Sequence, residues 1–313
     1  MKTQFKNYIL LLEHFKDEAT CHALLEKQRW NGNPICPHCK HDKVYRTNRG
    51  FKCANKDCHK KFSVTVGTIF ENSKIPLRYW FAAIYIATAH KKGISSHQLS
   101  RDLGITQKTA WFILQRVREM LKVEAPNMVD GTVELDETGV GGKERNKHKK
   151  IRKRENKGTG FIGKTMVFGV LQRAGNVWTK IVPDTTGKTL KPIIKGSIGT
   201  DVTIITDGAG AYSGLNKEYH HEVVYHEKDE YVRGEYHTNG IEGYWSLLKR
   251  GIIGIYHNVS PKHLHRYCDE FSYRYNTRKI KDCDRFVDVL TKVSGTRITY
   301  NKLTKNTDES KKA

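Results

Sequence analysis

Four cysteines within 23 residues, in CPHCKHDKVYRTNRGFKCANKDC, restrict what the first part of this chain can become. Cys36 and Cys39 are separated by two residues and Cys53 and Cys58 by four, with a turn-rich span between the pairs. That spacing predicts two knuckles converging on one tetrahedral Zn2+. Four thiolates leave no open coordination position, so the expected zinc is structural and contributes folding energy. His38, His41 and His59 are competing ligands, whereas Cys21, Cys268 and Cys283 have no partner at ligand spacing. Lysines and arginines from Lys40 to Lys61 surround the cysteines, which suits either a phosphate-contacting ribbon or a solvated basic face.

Charge narrows the partners. Fifty-five Lys and Arg against 33 Asp and Glu give a net charge of +22, a field that attracts polyanions and nucleic acid above all. A membrane surface fits poorly, because no apolar stretch approaches the roughly 18 residues needed to span a bilayer. The run YILLLEHF at 8–15 is broken by Glu13 and His14 and is followed by no cleavage site, so it does not read as a signal peptide. A cytoplasmic, nucleoid-associated protein is expected, where thiols are reduced and clustered cysteines bind metal.

After the ribbon, SSHQLSRDLGITQKTAWFILQRVREML carries Leu99 and Leu103 four apart, a turn at Gly104, then Ala110, Ile113, Leu114, Val117 and Leu121 at helical spacing. This is a helix-turn-helix pattern. Its second helix opens with Gln107, Lys108 and Thr109, at the end that enters the major groove in such motifs. EAPNMVDG at 124–131 reads as a linker.

Beyond the linker, GTVELDETGVGG, MVFGVLQ and NVWTKIV read as three strands, a helix follows near 188–196, and DVTIITDGAGAY is a strand stopping at Asp207. A further helix, the strand HEVVYHE and a last helix over HTNGIEGYWSLLK complete the order, an α/β pattern with a mixed sheet. Asp136 lies in the first strand and Asp207 at the end of the fourth, strands that can lie side by side. Glu242, Ser246 and Lys249 form a polar stripe on the last helix, and Ile241, Trp245, Leu248 and Ile252 an apolar one. Asn239 with Glu242 three residues later also fits a capping box, so Glu242 has both a structural and a catalytic reading. Asp136, Asp207 and Glu242 at one rim would repel one another unless cations sit among them, which points to two Mg2+, with Mn2+ as a substitute. Glu134, Glu137 and Asp201 are competitors. The run KERNKHKKIRKRENKG at 143–158 holds nine Lys or Arg, Lys150 and Arg152 among them, and reads as a solvated loop that orders on a DNA backbone.

The stretches VELDET, TIITDGAGAY and HTNGIEGYWSLLKRGIIGIYHNVSPKHLHRYCDEFSYRYN, with the ribbon ahead of them, resemble bacterial insertion-sequence transposases of the Merlin-related, ISXO-type superfamily. The resemblance spans residues 15–280. It implies a ribonuclease H-like DDE catalytic core with Asp136 and Asp207 as metal ligands, Glu242 or Asn239 as the third member, and Lys249 as the basic residue that follows. The expected organisation is an N-terminal helix and ribbon (1–70), a helix-turn-helix (71–125), the catalytic domain (130–290) and a polar tail (291–313). The activity so implied is binding of the element's terminal inverted repeats, cleavage to expose 3′-hydroxyls, and Mg2+-dependent joining of these to target DNA. Because two ends must be paired, a homo-oligomer on double-stranded DNA is expected. The rivals are a domesticated DNA-binding regulator without cleavage and a ribonuclease H-like nuclease.

Overall fold

The computed structural model describes residues 5–142, 163–225 and 232–304. Along the chain run helices α1 (Tyr8–His14) and α2 (Glu18–Trp30), strands β1 (Val44–Thr47), β2 (Gly50–Cys53) and β3 (Lys61–Phe62), then helices α3 (Leu77–Ala89), α4 (Ser96–Leu103) and α5 (Gln107–Met120). Next come β4 (Thr132–Val140), β5 (Thr165–Gln172), β6 (Val177–Val182), α6 (Gly187–Lys195), β7 (Thr203–Asp207), β8 (His220–Val224), α7 (Asn239–Gly251) and α8 (Pro261–Asn276). Helices α9 (Asp282–Thr291) and α10 (Tyr300–Thr304) follow. Two compact units result: one contains residues up to Leu121 together with those from Ile280, the other Lys122–Lys279.

In the first unit, α3 is apolar almost all round and is accordingly buried along most of its length. Glu18 caps it from α2, accepting hydrogen bonds from the amides of Leu77 at 2.9 Å and Arg78 at 3.1 Å. Phe81 on α3 meets Phe15 at 4.9 Å and Phe286 of α9 at 5.6 Å between ring centroids. The three short strands form an antiparallel sheet in the order β1-β2-β3. In the helix-turn-helix, Ser95 caps α4, Gly104 ends it at φ +63° in the left-handed region, and Thr106 caps α5. Ala110, Ile113, Leu114, Val117 and Leu121 are buried, as their spacing requires.

The C-terminal boundary differs from the sequence expectation. The sequence places residues 280–290 in the catalytic domain and 291 onward in a polar tail, but α9 packs in the first unit and Val293, Ile298 and Leu303 are buried. Arg116 of α5 holds this segment, donating from Nε to the Ile298 carbonyl at 3.1 Å and from Nη1 to the carbonyls of Ile69 and Glu71. Sparse hydrophobics in a polar stretch conceal such a role, because a few anchors suffice when a buried guanidinium satisfies the backbone.

The second unit is built on a five-stranded sheet in the order β6-β5-β4-β7-β8. Strands β6, β5 and β4 are antiparallel, and β4, β7 and β8 run parallel. This is the ribonuclease H-like arrangement. Alternation along β4 sorts its side chains: Val133 and Leu135 join the core with Leu190 and Ile194 of α6, whereas Val140 joins Ile241, Trp245 and Leu248 of α7 and Phe271 of α8. The helix expected between β7 and β8 is replaced by two single 3₁₀ turns, Gly210–Tyr212 and Leu215–Lys217. Gly208, Gly210 and Gly214 disfavour a longer helix there, while buried Tyr212 and Leu215 pin the turns to the core. Among the described residues, no helix is long and apolar enough to cross a membrane.

Candidate active site and metal centre

The four ribbon cysteines converge. All four Sγ atoms lie within 4.8 Å of one another, with Cys36 and Cys58 at 3.9 Å and Cys39 and Cys53 at 3.5 Å. Four thiolates about 2.3 Å from a tetrahedral zinc stand about 3.8 Å apart, so the site fits Zn2+. Each knuckle turns back through a residue with positive φ, Lys40 at +63° after Cys39 and His59 at +45° after Cys58. The His41 amide pulls the Cys39 thiol down to about 7, while burial raises Cys53. Among the described residues, His38, His41 and His59 do not join the ligand group. Phe51, Phe62 and Trp30 pack beside the knuckles as the ribbon's small core.

On the larger sheet, Glu134 of β4 pairs in register with Ile205 of β7, so Asp136 and Asp207 stand two residues further along neighbouring strands. The sheet rim therefore carries both aspartates. Asp136 is pushed up to about 6, chiefly by burial and further by the charges of Asp207 and Glu242. Its Oδ1 accepts from the Glu137 amide at 2.8 Å and its Oδ2 from the Trp245 indole at 2.9 Å. Asp207 accepts from the Ala209 amide at 3.1 Å and is half-buried.

Helix α7 lies over this rim. Ile241, Trp245, Leu248 and Ile252 are buried as the stripe predicts, while Glu242, Ser246 and Lys249 are exposed. The expected capping box is not formed. Thr238 rather than Asn239 precedes the helix, Asn239 is its first residue, and the Thr238 hydroxyl donates to Glu242 Oε1 at 2.8 Å. The cap falls one residue earlier than the sequence suggests, where Asn239, the stronger cap former, sits beside Thr238. The three carboxylates are not drawn as close together as the four thiolates. Through space, however, the charges of both Asp207 and Glu242 reach Asp136.

The competing carboxylates separate by position. Glu134 is 1% exposed and engaged on both oxygens, by Arg173 Nε at 3.1 Å and the Ile241 amide at 2.9 Å. Glu137 points to the opposite face of β4, where the Tyr212 hydroxyl donates to it at 2.7 Å and burial pushes it up to about 7. Asp201 is exposed before β7. Sequence reasoning missed Trp245 as a partner of Asp136, having read it only as packing surface. The signal was present as Gly169, which pairs with Asp136 across β4 and β5. A Cβ at Gly169 would lie 2.6 Å from the Trp245 ring.

At the start of α5, Gln107 donates from its amide to Ser96 Oγ at 2.8 Å, and the Thr109 hydroxyl pairs with Thr106 at 2.9 Å. Lys108 stands 4.9 Å from the Tyr300 ring centroid. The expected base readers thus also fasten the motif. Lys150, Arg152 and the rest of the basic run lie outside the described residues.

Comparison with known proteins places two segments of the chain. Residues 128–276 match the ISXO2-like transposase domain, and residues 16–61 the transposase zinc-ribbon domain. An uncharacterized protein in transposable element ISH50 of Halobacterium salinarum is 30% identical over 278 residues, 84% of this chain and 92% of that protein. An uncharacterized transposase-like protein of Haemophilus influenzae is 28% identical over 106 residues, 34% of this chain and 85% of that one. A chain from a pre-cleavage Mos1 transpososome aligns over 92% of this chain and 97% of its own length, at 13% identity and a TM-score of 0.20. From the ribbon through the mixed sheet, the chain belongs to the ISXO2-like transposase family.

Proposed function

We propose that the protein binds the terminal inverted repeats of an insertion sequence, cleaves there to expose 3′-hydroxyls, and joins those hydroxyls to target DNA. The observation that carries this reading is the pairing of β4 with β7, which sets Asp136 and Asp207 side by side beneath the helix bearing Glu242 and Lys249. Asp136, Asp207 and Glu242 would hold Mg2+, since hard carboxylate oxygens suit it and the mutual charge at Asp136 calls for a cation. Mg2+ held there would supply activation of the attacking water or 3′-hydroxyl and charge stabilisation at the leaving oxygen. Trp245 holds the Asp136 carboxylate in one orientation, and Asn239, exposed at the helix start, lines the same approach and is the second candidate for third ligand. Lys249, exposed two turns along the same stripe, would meet a DNA phosphate. The ribbon and helix-turn-helix supply end recognition, and a net charge of +22 supports non-specific affinity for double-stranded DNA. Pairing two ends requires an oligomer on DNA.

Incubating the protein with linear fragments of the DNA that flanks its gene, in Mg2+ or Mn2+, tests this directly. Nicked ends with 3′-hydroxyls and strand-transfer products are expected, and both should vanish in Asp136→Asn. Specific binding without cleavage would mark a regulator instead. Cleavage confined to RNA-containing duplexes would mark a ribonuclease H-like nuclease.

A further inference from the structure

An ion pair between buried Glu134 and half-buried Arg173 fastens the start of α7 to the strand that carries Asp136. Glu134 and Asp136 are two residues apart on β4 and so face the same side of the sheet. One Glu134 oxygen receives the Ile241 amide, one of the free N–H groups in the first turn of α7. The other receives Arg173 Nε, at the end of β5. Arg173 does more than neutralise the carboxylate. Its Nη1 donates to the Glu235 carbonyl at 2.6 Å and its Nη2 to the His237 carbonyl at 3.0 Å, so one guanidinium grips the segment leading into α7.

The helix side is shaped for this contact. A Cβ on Gly240 would lie 2.8 Å from Glu134 Oε2, so only glycine lets the carboxylate approach the helix start this closely. The His237 ring also lies beside the pair, with Nδ1 3.6 Å from Glu134 Oε1. Two fixed points, Glu134 at Ile241 and Trp245 at Asp136, are one helical turn apart on α7. Together they set both the rotation and the height of the helix above β4. Glu242 lies within the turn so fixed, and Asn239 lies two residues ahead of that turn.

We infer that Glu134, clamped by Arg173, is a positioning residue that sets the third metal ligand of α7 against Asp136. Burial and two engaged oxygens remove Glu134 itself from the ligand set. The inference rests on the proposed reading of Asp136, Asp207 and α7 as the cation site. Glu134→Gln keeps the shape and can still accept from Ile241, but it loses the charge that Arg173 meets. Gly240→Ala disturbs the same contact from the helix side.

The test is Mn2+ binding to the full-length protein, followed by electron paramagnetic resonance, beside end binding and thermal unfolding. Leu135→Ala serves as the stability control, because Leu135 is buried in the core against α6, on the other face of β4. Glu134→Gln and Gly240→Ala should each weaken Mn2+ affinity about 10- to 100-fold, the range seen when groups that orient metal ligands are lost. Leu135→Ala should lower the melting temperature and leave Mn2+ affinity at the wild-type value. Should Glu134→Gln not fold, Arg173→Gln, on the more accessible partner, is read the same way. Wild-type Mn2+ affinity in these variants overturns the inference, as does an equal loss in Leu135→Ala. Failure of the underlying reading looks different: Asp136→Asn would then bind Mn2+ as well as wild type.

Discussion

The Trp245 indole donates to Asp136 Oδ2 at 2.9 Å, across a gap that exists because the residue paired with Asp136 on β5 is Gly169. One hydrogen bond thus joins the helix and the strand that carry the candidate ligands. Trp245→Phe keeps most of the packing and removes the donor. A bond to a charged group contributes about 1.5–3 kcal/mol, so end cleavage should fall at least tenfold while end binding persists. The indole also lowers the Asp136 carboxyl, so the acid limb of the pH–rate profile should move upward. An unmoved profile would assign Trp245 to packing alone.

Without divalent cations, the rim should make the second unit less stable as pH rises. Asp136 is raised from 3.8 to about 6 in the fold, so the folded state binds the proton more tightly than the unfolded chain. The resulting stabilisation is fully present below pH 3.8 and is lost as pH rises through about 6, amounting to about 3 kcal/mol for this residue. Asp136→Asn should therefore flatten the dependence of melting temperature on pH between 4 and 7. Calorimetry in chelator reads this. A wild-type slope in the variant would place the burden on Glu137.

The role of α7's first turn is resolved by two substitutions. Glu242→Gln preserves the acceptor for the Thr238 hydroxyl but not the negative charge, so folding and end binding should survive and joining should collapse. Asn239→Ala removes no cap, because Thr238 occupies that position, and should shift the melting temperature by less than about 1 °C. Strand-transfer assays on both variants decide the third ligand. A dead Asn239→Ala with an active Glu242→Gln would hand the role to Asn239.

Zinc loss should be selective for end recognition. Cys36→Ser or Cys58→Ser should lower bound zinc by about one equivalent and weaken specific binding, since the ribbon core of Phe51 and Phe62 has little else to hold it. Inductively coupled plasma measurement and a gel-shift titration check both halves. Full zinc content in Cys58→Ser would point to a replacement ligand such as His59.

For the helix-turn-helix, the structure alters what a simple scan would mean. Gln107 is tied to Ser96, so Gln107→Ala should lower stability by about 1 kcal/mol as well as reduce end affinity. Lys108→Ala should reduce affinity and cost less stability, about 0.5 kcal/mol, since it loses only the contact with the Tyr300 ring. Binding to specific and random DNA across a salt series separates the two effects.

Much of this molecule was legible in its residues because period and spacing encode it. The cysteine pairs mark the ribbon, Leu99 and Leu103 with the α5 stripe mark the helix-turn-helix, and the stripe from Ile241 to Ile252 marks the helix over the sheet. Less legible were contacts between residues far apart in sequence. Arg173 reaching Glu134, Trp245 reaching Asp136 and Arg116 reaching Ile298 leave no local pattern, since each depends on which strand or segment the fold sets alongside. Gly169 and Gly240 were the nearest signals, and each gains its meaning only once its neighbour across the gap is known.

The middle of the chain is inserted into the first unit, which departs at Leu121 and resumes at Ile280. During synthesis, therefore, α3 and α5 emerge early yet wait for the segment after Ile280 before Phe286 can pack on Phe81 and the Ile298 carbonyl can meet Arg116. A gene copy truncated near codon 280 would leave Arg116 without the Ile298 carbonyl it grips and Phe81 without Phe286. Such copies should yield an unstable product rather than a competing end binder, so decayed elements would not poison intact ones through this half of the protein.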